Sequence, residues 1–162
     1  MRPQNKLIIT SVISIILLIA LVVSIAVSFG GSSGSDKSVE EVKEVIAPLF
    51  QNEGAQEVSS RFLRKYYDLN ASDYEGVSLF MPNSNMDAQE MLIIKLADTS
   101  QAEAVSEAIN TRLETQLNAF DGYAPVQYDL CSKAIVDVRG NYILFVIHEN
   151  AAEIEAAFRR AL

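Results

Sequence analysis

Hydrophobic positions fall along this chain in two regimes. Residues Leu7 to Phe29 form 23 positions without a charge, whereas beyond Ser38 apolar residues alternate with polar ones at periods of two or of three to four. The first regime predicts a membrane-spanning helix at 7–29, since about 1.5 Å of rise per residue carries it about 35 Å, enough for a hydrocarbon core of about 30 Å. The second predicts a folded domain over 39–162. Between them, residues 30–38 are rich in Gly and Ser and predict a flexible linker, about 16 Å from end to end on average.

Within the domain, Ser38-Val-Glu-Glu41 reads as a capping box that opens a first helix, followed by Val39, Val42, Ile46, Leu49 and Phe50 at helical spacing. A second helical stretch is predicted over Gln56 to Tyr67, with Val58, Phe62 and Tyr66 along one side, ending in the turn-prone run from Asp68 to Asp73. Gly76 to Pro82 and Gln89 to Ala97 are short, apolar and rich in Val, Leu, Ile and Phe, and they flank Asn83-Ser-Asn-Met-Asp87. That pattern predicts a strand, a loop and a strand. Ser100-Gln-Ala-Glu103 reads as a second capping box, and Val105, Ile109, Leu113, Leu117 and Phe120 then mark one face of a long helix stopped by Asp121-Gly122. Tyr123 to Tyr128 predicts a short helical turn with Pro125 near its start. A hairpin of Ala134–Val138 and Asn141–His148 follows around Arg139-Gly-Asn141, and Asn150-Ala-Ala-Glu153 caps a last helix to Leu162. In the second hairpin strand Tyr142, Leu144, Val146 and His148 share one face and Ile143, Phe145 and Ile147 the other, so it is predicted to be central and covered on both sides. The expected fold is α+β in the order ααββαββα, a four-stranded, mainly antiparallel sheet packed with helices.

Charge sets the expected orientation. Arg2 and Lys6 precede the apolar run, while only Lys37, beside Asp36, follows it closely. Cations are retained on the cytoplasmic side, which places residues 1–6 inside and 30–162 outside, as a single-pass protein of the cell membrane. A cleaved secretory signal is the alternative, with small residues at Ala26-Val-Ser28, but the run exceeds the roughly 7–15 residues of a signal core. Residues 36–162 carry all 21 acidic residues against 11 Lys and Arg, a net of −10. Such a surface repels phosphate backbones, so nucleic acid is not expected as a partner. Cys131 is the only cysteine, which excludes an intramolecular disulfide and a thiolate metal cluster.

Three stretches, Ser78–Lys95, Phe120–Tyr128 and Val138–Val146, resemble the DUF4358 family, and the likeness extends over most of residues 39–160. The resemblance implies a small extracytoplasmic protein of a Gram-positive bacterium. Members are commonly attached through a lipoprotein cysteine; no cysteine follows the apolar run here, and the predicted helix would serve the same tethering end. The family name records an unassigned function, and the resemblance supplies no catalytic residues.

Candidate chemistry is sparse. Asn83, Ser84, Asn85, Asp87, Gln89 and Glu90 cluster around the first strand connection, where carboxylates and amide oxygens can hold a hard cation or orient a polar ligand; a hairpin loop is polar in any case, and that simpler reading is favoured. Glu90 and Lys95 differ by five and so face opposite sides of one strand. Tyr123, Pro125 and Tyr128 offer aromatic faces to a peptide or glycan, unless both rings pack over the long helix. His148, the only histidine, follows no nucleophile motif and reads as a boundary residue. The binding candidates are therefore Asn83, Asn85, Asp87, Glu90, Tyr123 and Tyr128, with no catalytic residue, metal or cofactor expected. The chain reads as a membrane-anchored, non-enzymatic accessory module of the bacterial envelope that engages an envelope protein or a wall component. Two alternatives are an envelope enzyme of metal-dependent hydrolase type using Asp87, Glu90 and His148, and a sensor subunit that associates with another membrane protein.

Overall fold

The computed structural model describes residues 34–50 and 54–162. The anchor predicted at 7–29 lies outside the described residues, among which no helix is long and apolar enough to cross a membrane. Helix α1 (Val39–Ile46) begins at the expected box: Ser38 Oγ accepts from the Glu41 N–H at 3.2 Å and Glu41 Oε2 accepts from the Ser38 N–H at 2.7 Å. After a 3-10 turn at Ala47–Leu49, strand β1 (Ala55–Glu57) leads to helix α2 (Ser60–Tyr67). Strands β2 (Gly76–Pro82) and β3 (Glu90–Lys95) follow, then helices α3 (Ala102–Phe120) and α4 (Pro125–Ser132), strands β4 (Ile135–Arg139) and β5 (Tyr142–Ile147), and helix α5 (Ala151–Ala161).

The sheet has five strands in the order β1-β2-β3-β5-β4, every neighbouring pair antiparallel. Four strands were expected from the pattern; the fifth is β1, and it occupies the start of the segment expected to be helical from Gln56. Its three residues carry no apolar alternation. They are held by pairing with the end of β2, Ala55 opposite Pro82 and Glu57 opposite Phe80. A very short polar strand is a common way to end a sheet, and it leaves no side-chain signature to read.

Both faces of the sheet are buried. On the first, Leu92 and Ile94 of β3 with Ile143, Phe145 and Ile147 of β5 pack against Leu63 and Tyr67 of α2 and Val105, Ile109 and Leu113 of α3. On the second, Met91 and Ile93 with Tyr142, Leu144 and Val146 pack against Val39, Val42 and Ile46 of α1 and Ile154 and Phe158 of α5. The result is three layers, with the sheet between two pairs of helices, and β3 and β5 at its centre as their two-sided apolar runs require.

Two caps differ from expectation. The box before α3 lies two residues earlier than Ser100: the Asp98 carboxylate accepts from the Ser100 N–H at 2.8 Å, and Gln101 Oε1 accepts from the Asp98 and Ala97 N–H groups at 3.1 and 2.9 Å. Asn150 stands at the N-cap of α5 but makes no side-chain capping bond.

The second half of the expected flexible linker is docked. Asn141, in the β4–β5 turn, accepts the Ser35 N–H at 2.8 Å through Oδ1 and donates from Nδ2 to the Ser35 carbonyl at 3.1 Å. The Tyr142 hydroxyl donates to the Lys37 carbonyl, and Lys37 Nζ donates to the Ala161 carbonyl, both at 2.5 Å. Composition alone predicts a coil for this segment; a turn amide two-pronged onto its backbone overrides that. The chain thus joins the domain at the end of the sheet marked by Lys95, Asn141 and the C-terminus of α5.

Candidate functional site

The opposite end of the sheet carries the β2–β3 connection. Its loop is tied internally, Ser84 Oγ accepting the Met86 N–H at 3.2 Å and Asp87 Oδ1 accepting the Gln89 N–H at 3.0 Å, and it is tied to its neighbours by the Asn83 N–H donating to the Gly54 carbonyl at 2.6 Å. Helix α3, 19 residues long, starts just after β3 and runs back along the sheet, so the turn at Asp121–Gly122 delivers α4 beside this loop. The Ala88 N–H donates to Gln127 Oε1 at 2.9 Å, and the Tyr123 hydroxyl lies 3.8 Å from Met86 Sδ. Two stretches that were separate candidates in the sequence therefore form one surface.

That surface is apolar and open. Met86 is 52 %, Tyr123 67 % and Val126 72 % exposed, and the other exposed large hydrophobic residues among those described are Val45, on α1, and Tyr128. Tyr123 reaches toward Met86 and stays largely exposed instead of packing over α3. Gln127 and Cys131 turn inward, which at 100° per residue sends Val126 and Tyr128 to opposite flanks of α4; Tyr128, 40 % exposed, sits apart from the Met86–Tyr123–Val126 patch. Asn83 and Asn85 are exposed on the loop and Asp87 is half-buried.

Glu90 is different from its loop neighbours. It is completely buried on the first face, where Arg112 Nη2 donates to it at 2.6 Å and Arg112 Nε at 3.2 Å, Gln116 Nε2 donates at 3.1 Å, and the Tyr67 hydroxyl makes a further bond. The guanidinium lies over the Tyr66 ring, 4.7 Å from its centre. Burial, and then the Glu90 charge, push the Tyr67 hydroxyl well above its ordinary pKa. Burial and Glu90 likewise push the Cys131 thiol up to about 11, which makes this cysteine inert near neutrality. The sequence reading missed Tyr67, Arg112 and Gln116. Their signal was present in two places: a carboxylate opening the apolar strand Glu90–Lys95 must find partners, and Arg112 and Gln116 lie four apart on α3.

His148 lies on the second face, its ring 5.1 Å from that of Phe50, and its Nδ1 accepts the Asn150 N–H at 3.0 Å. Burial lowers its pKa, with the charges of Glu149 and Asp87 acting the other way. The ring thus supplies the capping bond to α5 that Asn150 does not. Asp87, Glu90 and His148 do not assemble into a catalytic group, because the sheet stands between Glu90 and His148. Among the described residues no three His, Cys, Asp or Glu side chains are placed to hold a metal ion.

Fold and surface together define a three-layer α+β domain whose buried carboxylates serve the architecture and whose exposed chemistry is a small aromatic and aliphatic patch. Residues 50–148 match the family described as domain of unknown function DUF4358, and the chain belongs to that family. No curated protein matches the chain, and no solved structure does.

Proposed function

We propose that the chain is a membrane-anchored, extracytoplasmic binding module of the bacterial cell envelope, without enzymatic activity of its own, that engages an envelope protein through the Met86–Tyr123–Val126 surface. The observation that carries this reading is the polarity of the domain. The segment leading from the predicted anchor is fastened at the Asn141 end of the sheet, and the exposed apolar residues gather at the Glu90 end. Five residue steps of β3 separate the two ends, about 17 Å at 3.3–3.4 Å each. A helix at 7–29 would then hold the patch outward, beyond the thickness of the domain. Exposed apolar residues clustered at one site favour recognition over solubility.

The test is capture of full-length tagged protein after crosslinking in intact cells, comparing the native chain with Tyr123→Ser/Val126→Ser. An envelope protein recovered with the native chain and reduced at least several-fold by the double substitution supports the reading. Recovery that is indifferent to both substitutions sinks it.

A further inference from the structure

The rim of the patch says what kind of segment it takes. Asp121 precedes Tyr123 in the turn, Asp87 follows Met86, Asp129 lies one turn along α4 from Val126, and Glu149 stands in the β5–α5 connection close enough to act, with Asp87, on His148. Across residues 121–133 and 148–150 the three carboxylates Asp121, Asp129 and Glu149 face a single cation, Lys133, which is already paired with Asp129 at 2.5 Å. Arg112, on α3 ahead of this turn, is engaged by Glu90 at 2.6 Å.

We infer that the Met86–Tyr123–Val126 surface receives a protein segment in which an apolar side chain is flanked by Lys or Arg. The inference rests on the binding-module reading and names the chemistry of its partner. Three arguments carry it. A methionine beside an aromatic ring is an adaptable apolar seat, because the thioether repacks around different side chains while the ring stays rigid. The carboxylate rim attracts cations and disfavours acidic segments and anionic lipid headgroups. A second copy of the chain is disfavoured for the same reason: a two-fold contact would set the patch against itself, and the carboxylates of one rim against those of the other.

The experiment places a photo-crosslinking residue at Val126 of the full-length chain in cells, with the same residue at Val45 as the comparison. Crosslinked peptides are then sequenced. The expected result is a protein stretch with Lys or Arg within a few residues of the attachment point. Its yield in isolated membranes should fall about 2- to 10-fold in Asp121→Asn/Glu149→Gln, as rim charges of this kind contribute modestly each, and should fall with added salt. Attachment to an acidic or uncharged stretch, or a yield unmoved by the two substitutions, overturns the inference about charge and leaves the binding module standing. Attachment to lipid or to a second copy, or a yield at Val126 no higher than at Val45, overturns both. Thermal unfolding of each variant separates loss of binding from loss of fold.

Discussion

The Glu90 carboxylate is buried completely and yet receives four donor groups, from Tyr67, Gln116 and two nitrogens of Arg112. A buried ion pair is costly to break because the surviving charge is stranded in an apolar core. Glu90→Leu should therefore lose about 3–5 kcal/mol in urea unfolding of the full chain in non-ionic micelles. Adding Arg112→Leu removes the stranded charge and should recover part of that loss. Recovery stays incomplete, since the Tyr67 hydroxyl and the Gln116 amide still lack their acceptor. A double variant as unstable as the sum of the two single ones would show that the groups do not act as a unit. His148 makes a second residue-level commitment. Its pKa is lowered from 6.5 in the fold by burial, so its contribution is complete above about pH 6.5 and is lost as pH falls through the lowered folded value. His148→Gln should be less stable than the native chain at pH 7, and the gap in Tm should close toward pH 5. A gap that stays constant over that range would deny the neutral ring its role.

At the scale of elements, legibility tracked how much of the information was local. The box at Ser38–Glu41 and the apolar runs of β2, β3 and β5 are written in neighbouring residues, and they are found where expected. Strand β1 was hidden because it exists only through its backbone pairing with β2; Glu57, read as part of a helix, instead accepts from Lys43 Nζ and from Ser78 Oγ, at 3.1 and 2.7 Å. The docking of Ser35 on Asn141 joins residues 106 positions apart, and no local pattern announces such a contact. The same holds for the candidate surface. Its loop and its aromatic turn were each visible as polar and aromatic clusters, but only the course of α3 along the sheet brings Tyr123 to Met86. Glu90, grouped with that loop on sequence distance alone, turns inward because its neighbours Leu92 and Ile94 set the face on which it must lie.

For the whole molecule, each face of the sheet owns one buried carboxylate that ties helix to sheet. Glu90 joins α2 and α3 on the first face. On the second, Asp137 accepts from Arg159 of α5 at 2.7 Å and from Arg139 at 3.1 Å. The family match spans 50–148, so α1 and α5, which close the second face, fall outside it. The position of the patch gives a direct test of topology. Cys131 is the only thiol in the chain, is buried, and has its pKa pushed up to about 11, so the folded protein should react slowly with maleimide near pH 7. Val126→Cys adds one thiol at a position 72 % exposed. A membrane-impermeant maleimide applied to intact cells should label Val126→Cys rapidly and leave the native chain nearly unmarked. Labelling of the variant only after lysis would put the domain in the cytoplasm and with it reverse the orientation drawn from Arg2 and Lys6. Labelling in intact cells, lost on deletion of residues 7–29, would tie the outward display of the patch to that helix.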